Sequence, residues 1–197
     1  VSANAPRLIL ASGSPRRRQL LAQAGFDFET IEPEVSEVSP NELTLGEITS
    51  WNAIRKGLAV ARKNPDAVVL AADTLVALGR EIIGKPRDFA DAKKILARLN
   101  GREHVVATGV FLARLARAQT ESFVVFSRVL FRKWSDAQIE NYLREINPLD
   151  KAGAYAAQDR GGAIIRRIVH SRSNVIGLPL EKLRPALARF GASPNDA

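Results

Sequence analysis

Cysteine is absent from all 197 residues, which excludes disulfides, thiolate metal sites and cysteine nucleophiles. Histidine is scarce, with only His104 and His170 available as imidazoles. A metal would therefore be held by carboxylates, a donor set that favours magnesium or manganese over zinc. Methionine is missing too, even at position 1, which suggests a numbering that begins after a trimmed start. Aromatic residues make up 6% of the chain, too few for a platform on which single-stranded bases stack. No apolar run approaches the roughly 20 residues of a membrane span, and the first residues lack the long apolar core of a signal peptide. A cytoplasmic protein without a membrane partner is the expectation.

What is present fits a folded protein: 46% hydrophobic and 25% charged residues are ordinary for one. The length suits a single domain over residues 1–197, with room for two lobes. A net charge of +8 attracts polyanions, but it does not separate a nucleic-acid binder from an enzyme acting on a nucleotide.

The most informative stretch is Leu8-Ile9-Leu10-Ala11-Ser12-Gly13-Ser14-Pro15-Arg16-Arg17-Arg18-Gln19-Leu20-Leu21. An apolar run of strand length meets small residues and then apolar positions at helical spacing, which predicts strand, tight loop, helix. Ser14 suits the N-cap and Pro15 the first helical position. Unpaired N–H groups, the helix dipole and three arginines together make a candidate anion site, most naturally for phosphates. Alone, such a junction is ordinary in α/β proteins and an arginine run is usually a solvated face. It is not a P-loop, because no Gly-Lys-Ser/Thr follows.

Further along, Gly25 can end the helix and Phe26–Ile31 alternates as a strand. It leads into Glu32-Pro33-Glu34-Val35-Ser36-Glu37, whose carboxylates are either a metal-binding loop or a solvated turn. After the turn residues of Ser39–Glu47, Glu47–Arg62 reads as a helix with Ile48, Trp51, Ile54, Leu58 and Ala61 on its apolar face and Lys56 off it. Ala67–Ala72 suits a strand buried on both faces. Asp73-Thr74 sits at its C-terminal end, where chemistry gathers in open α/β sheets.

A hairpin turning at Gly79-Arg80 delivers Gly84-Lys85-Pro86. Asp88–Leu99 is amphipathic and ends at Asn100-Gly101. His104–Leu115 and Ser122–Phe131 form a hairpin, and Ser135 caps a helix over Asp136–Ile146. Asp150–Gln158 is rich in small residues, so its Asp150, Lys151 and Gln158 face a ligand or make local hydrogen bonds. Ala163–Val169 reads as a strand. Asn174–Leu180 leads into a last helix that Pro185 should kink or divide, and Phe190–Ala197 reads as a frayed tail.

In order and spacing, Ser12-Gly-Ser-Pro-Arg-Arg17, Glu37, Lys56, Ala72-Asp-Thr74, Gly84-Lys-Pro86, Gly101 with His104, Asp150-Lys-Ala-Gly-Ala-Tyr155 with Gln158, and Asn174-Val-Ile-Gly-Leu-Pro179 resemble the Maf family of nucleoside triphosphate pyrophosphatases. The resemblance covers nearly the whole chain. It implies an α/β fold of the Maf / ITPase-like kind: a long twisted mixed sheet flanked by helices, with a cleft between two lobes. It also implies hydrolysis of a nucleoside triphosphate to monophosphate and pyrophosphate with a divalent cation, Mg2+ or Mn2+. Asp-Thr, Lys-Ala-Gly-Ala-Tyr and the nearby glutamine match the branch acting on dTTP and UTP.

Carried over by that resemblance, Asp73 is the proton acceptor, and Glu37, Lys56 and Lys85 are polar catalytic residues of the cleft. Arg16, Thr74 and Gln158 take specificity positions. Ser12, Ser14, Arg17 and Lys151 join them in holding the substrate, and Glu37 and Asp73 are the metal ligands, two carboxylates that can share or exchange the roles of base and ligand. A homodimer is implied, and a nucleic-acid partner is not expected. The sequence departs from the family pattern in three places: Ser36 where an acidic residue is common, Gly57 where alanine is common, and His170-Ser171-Arg172 for a glycine-serine-aromatic turn. A reading of another class makes the chain a septum-formation regulator that binds nucleic acid or a division partner and keeps a non-catalytic nucleotide pocket.

Overall fold

The structure is a computed structural model that describes residues 6–38, 40 and 42–195, without the side chains of 159–161. Ser39 and Asn41 of the turn before the second helix, and the last two residues of the tail, lie outside it. Seven strands form one mixed sheet in the order β2-β1-β3-β5-β6-β7, with β4 paired to β3. The strands are β1 (Leu8–Ala11), β2 (Glu29–Ile31), β3 (Val68–Leu78), β4 (Glu81–Ile83), β5 (Glu103–Arg114), β6 (Gln119–Phe131) and β7 (Ile165–Val169). Six helices flank this order in sequence: α1 (Pro15–Gln23), α2 (Leu45–Ala61), α3 (Phe89–Leu99), α4 (Asp136–Glu145), α5 (Arg172–Ile176) and α6 (Leu180–Arg189). Among the described residues no helix is long and apolar enough to cross a membrane.

The described chain divides into two compact units, residues 6–73, 108–125 and 177–195 in one and 74–107 and 126–176 in the other. Strands β3, β5 and β6 contribute residues to both.

In the first unit β1 pairs in parallel with β2 on one side and β3 on the other. Every residue of β1 is buried, as is expected of a parallel strand covered on both faces. Helix α2 begins with a capping box, in which the Thr44 side chain accepts from the Glu47 N–H and the Glu47 carboxylate accepts from the Thr44 N–H. Its buried residues are Ile48, Thr49, Asn52, Ala53, Lys56, Gly57, Val60 and Ala61. The helix is thus turned by about one residue from the face that hydrophobicity alone selects. Trp51 is half exposed, and Lys56, expected off the buried stripe, lies in it.

Small residues make this possible. Six of the ten buried members of the α2 cluster, Ala11, Ala53, Ala61, Ala67, Ala71 and Ala113, are alanine. A Cβ on Gly109 would lie 2.4 Å from the backbone carbon of Thr49, and one on Gly57 would lie 2.4 Å from Cδ1 of Phe111. The departure from alanine at Gly57 is therefore a fit to Phe111.

In the second unit α3 and α4 pack on one another, and α3 buries the predicted Ala92, Ile95, Leu96 and Leu99. Both helices are capped, α4 by the expected Ser135, which accepts from the Gln138 N–H, and α3 by Asp88, which accepts from the Asp91 N–H. At the core of the unit His104, Phe131 and Tyr155 meet edge to face, with ring centroids 4.6 to 5.4 Å apart, and His104 Nε2 shares a 3.1 Å hydrogen bond with the Tyr155 hydroxyl. Gly153 and Ala154 both take left-handed backbone, φ +76° and +59°. That costs Ala154 roughly 1–2 kcal/mol, and the turn is held by Gly153 N–H donating to the Gly84 carbonyl at 3.1 Å.

Several boundaries differ from the sequence reading. Strand β2 is only three residues long, and β3 runs on through Asp73 to Leu78, so Asp73 is within the strand rather than at its end. Pro185 lies inside α6 without dividing it. The tail is not frayed at its start: Phe190 and Ala192 are buried and the Asn195 N–H donates to the Gly25 carbonyl at 2.8 Å. His170, at the turn expected to depart from the family's glycine-serine-aromatic pattern, adopts φ +79°. Reciprocal bonds between Ser127 and Ser171, 2.9 and 3.2 Å, hold that turn.

Two outcomes follow for stability. Gly57→Ala should cost about 1–3 kcal/mol, the range for overpacking, in urea denaturation, and Phe111→Leu in the same chain should recover most of it. Burial pushes the His104 imidazole down from 6.5 to about 4. Between those values the unfolded chain binds a proton that the folded one refuses, so stability falls as the pH drops. The loss from about pH 7 to pH 5 should be roughly 2 kcal/mol, and His104→Gln should remove that share of the pH dependence.

Candidate active site

Two loops leave the sheet beside a continuing strand in the first unit. Ala11, the last residue of β1, is paired with Ile31, the last of β2, and with Ala71 of β3. The Ser12–Ser14 loop and the Glu32–Val38 loop therefore start at the same level, and Asp73 lies two residues further along β3. Although Asp73 is inside its own strand, it is beyond the end of β1, so the convergence of loops at parallel strand ends that favours chemistry is present.

The Ser12–Ser14 loop folds tightly. Ser12 is buried, and its Oγ accepts from the Ser14 N–H at 3.2 Å and from Arg17 Nη1 at 3.3 Å. Ser14 is the N-cap and Pro15 opens α1, as predicted, but the Ser14 side chain makes no cap hydrogen bond. Arg17 turns back from the helix and donates from Nε to the Gly177 carbonyl at 2.9 Å. Loss of hydration lowers the affinity of its guanidinium for the proton, an effect opposed by the negative charges of Asp73 and Glu37 and reinforced by Arg16. Arg16 and Arg17 are half-buried, whereas Arg18 is exposed.

The centre of the site is an ion cluster on α2. Lys56 Nζ donates to Asp73 Oδ1 at 2.6 Å and to Glu37 Oε1 at 2.7 Å. The Lys56 and Asp73 side chains are 9% and 4% exposed, whereas Glu37 is 41% exposed. One side of the cluster is closed and the other opens to water through Glu37. Arg55 Nη1 donates to the Ser36 carbonyl at 2.9 Å, and Asn52 bonds the backbone of Val38 and the Asp73 carboxylate. Helix α2 thus grips residues 36–38 with three side chains in two turns. Ser36 takes part through its carbonyl, a contact that its side-chain identity does not affect.

Of the sequence-predicted residues, Ser12, Ser14, Arg16, Arg17, Glu37, Lys56 and Asp73 fall in this unit. Thr74, Lys85, Lys151 and Gln158 fall in the other. There Lys85 is exposed and Thr74, Lys151 and Gln158 are half-buried. The Gly153–Gly84 bond joins the loop carrying Lys151 and Gln158 to the turn carrying Lys85. Lys151 Nζ is engaged locally, by the Asn147 carbonyl at 2.5 Å and Asp150 Oδ1 at 2.6 Å. Sequence reasoning missed Asn52. Its spacing of four from Lys56 was the available signal, since residues so spaced share a helix face.

Comparison with known proteins adds a second line. A family model described as "Maf-like protein" matches residues 7–190. The chain is similar to proteins named dTTP/UTP pyrophosphatase from several bacteria. With that of Dictyoglomus turgidum it is 42% identical over 187 residues, 94% of this chain and 97% of that one. With that of Myxococcus xanthus it is 44% identical over 191 residues, covering 97% and 96%. With that of Vibrio cholerae it is 42% identical over 185 residues, covering 93% and 98%.

Removing Lys56 would leave the buried Asp73 carboxylate without its ion-pair partner. Lys56→Met should therefore cost about 3–5 kcal/mol in equilibrium unfolding. Adding Asp73→Asn should return much of that loss, because the stranded charge is then gone; an additive second loss would show that the pair is not coupled.

Proposed function

The chain belongs to the Maf-like protein family, and from that premise we propose that it is a nucleoside triphosphate pyrophosphatase hydrolysing dTTP and UTP to the monophosphate and pyrophosphate. The observation that carries this reading is the Asp73–Lys56–Glu37 cluster, closed on the Asp73 side and open through Glu37, in the same unit as the Ser12–Arg17 junction. A triphosphate brings about four negative charges, and water attacks phosphorus only once they are offset. Arg16, Arg17, Lys56 and Lys85 are the cations assigned to that task.

In the proposed reaction, water attacks the α-phosphorus. Asp73 accepts its proton on a carboxylate oxygen, each of which keeps a lone pair beyond the bond it accepts from Lys56 or Asn52. The bond from the α-phosphorus to the bridging oxygen breaks, and its electron pair leaves with pyrophosphate. Gln158 both donates and accepts, which suits the imide edge of uracil or thymine, and Thr74 limits the pocket beside it.

Glu37 and Asp73 also fit a divalent cation. Their oxygens both reach one ammonium, at 2.7 and 2.6 Å, and magnesium is commonly held by one or two carboxylates with substrate phosphates and water completing its shell. Bound there, Mg2+ or Mn2+ would supply positive charge against the phosphate oxygens and make water a better acid. The reading extends to a homodimer in the cytoplasm, as proposals that rest on the family alone.

The test is a nucleotide panel with magnesium, comprising dTTP, UTP, CTP, GTP, 7-methyl-GTP and ITP, with pyrophosphate quantified apart from orthophosphate. Release chiefly from dTTP and UTP is the expected result, and Asp73→Asn should lower it by about 10²–10⁴-fold while nucleotide still binds. Release chiefly from a purine would overturn the specificity. No release from any nucleotide by the folded protein would return the septum-formation regulator as the better reading.

A further inference from the structure

The buried amide of Asn52 is not among the residues that the sequence marks for chemistry, yet it touches both halves of the carboxylate pair's support. Asn52 is 3% exposed. Its Oδ1 accepts from the Val38 N–H at 3.0 Å, and its Nδ2 donates to the Val38 carbonyl at 3.0 Å and to Asp73 Oδ2 at 3.1 Å. The orientation of the amide is fixed by these partners, since the Val38 N–H can meet only an oxygen and its carbonyl only an N–H. Both Nδ2 hydrogens are then used, one on the backbone beside Glu37 and one on Asp73.

Lys56, one turn further along α2, joins the side chains of the same two acids. Asp73 is therefore tied to the Glu37–Val38 segment by two bridges, a charged and flexible one to the Glu37 side chain and a neutral, planar one to the Val38 backbone. A lysine stem adapts to its partners, whereas a two-point grip on the N–H and carbonyl of one residue holds the amide in one position. With Lys56 on Oδ1 and Asn52 on Oδ2, the plane of the Asp73 carboxylate is set. No other coded side chain of this size offers one acceptor and two donors in that fork. Aspartate lacks both donors and would place a like charge against Asp73.

We propose that Asn52 is a positioning residue for hydrolysis, fixing the orientation of Asp73 and its spacing from the Glu37 loop before substrate arrives. This rests on the reading of Asp73 as proton acceptor. Misplacing a reacting group by about 1 Å costs on the order of a hundredfold in rate, and a group that acts only on the reacting geometry lowers kcat rather than raising KM.

The experiment uses the full chain with dTTP and magnesium. Asn52→Ala and Asn52→Asp are compared with the parent for kcat, KM, circular dichroism and equilibrium binding of dTTP, and each is combined with Asp73→Asn. The expected result is a kcat lowered by about ten- to a hundredfold with KM within about threefold, more severe for Asn52→Asp, in variants that fold and bind nucleotide as the parent does. In the Asp73→Asn background the same changes should cost less than about twofold, because a residue acting through Asp73 has nothing left to position.

Parental kcat in either single variant would overturn the proposal, as would a full additive loss in the Asp73→Asn background. Failure of both single variants to fold would also overturn it, leaving Asn52 a support of the loop alone. Near-normal turnover in Asp73→Asn itself would bring down the proton-acceptor reading, and this proposal with it.

Discussion

A single ammonium group sits between two carboxylates, one of them buried, and the rest of the first unit is arranged around it. Desolvating the Lys56–Asp73 pair is expensive, and their mutual attraction offsets that cost only if the geometry is good and the remaining lone pairs find donors. Both conditions are met by neighbours. Lys56 reaches both acids below 3 Å, and Asn52 donates to the oxygen of Asp73 that Lys56 leaves. Glu37 keeps part of its surface in water, so the cluster has one solvated side through which ionic substrate can approach.

That geometry depends on how close α2 comes to the sheet. A larger residue at Gly109 would meet helix backbone, and one at Gly57 would meet the Phe111 ring. Backbone cannot give way, and an aromatic ring in a full core gives little. The alanine-rich surface between α2 and the strands is thus not a weak core that happened to be tolerated. It sets the helix near enough for Lys56 and Asn52 to reach a strand residue, at the expense of apolar area that longer side chains would have buried.

The frame of the fold was legible because its signals are local. Alternation showed the long hairpin β5–β6, four apolar positions at helical spacing marked α3, and Ser135 announced the start of α4. The buried face of α2 was not legible. Trp51, Ile54 and Leu58 draw the expected stripe to one side, whereas the helix buries Thr49, Asn52, Lys56 and Gly57. Hydrophobic periodicity assumes that what is buried is apolar, and this helix buries polar groups because they find partners in the sheet and the Glu37 loop. The end of β3 was misread for a similar reason. Asp73 resembles a strand terminator, but its charge is answered by Lys56, so the strand continues.

Two positions expected to depart from the family pattern, His170 and Ser36, are held in different ways. His170 holds a left-handed backbone that glycine would adopt without strain. The turn survives because Ser127 satisfies both the N–H and the carbonyl of Ser171, so its cost falls on stability and the path of the chain is kept. Ser36 is a different case. Its carbonyl is fastened by Arg55 and its neighbour Val38 by Asn52, so the loop keeps its place without an acidic side chain there. Within the cluster, Glu37 and Asp73 bring two carboxylates to one Lys56 ammonium. That balance leaves little surplus negative charge to attract a cation and little repulsion toward a triphosphate. A cation in such a site would draw more of its coordination from the substrate's own phosphates, which ties metal affinity to nucleotide binding rather than to the empty protein.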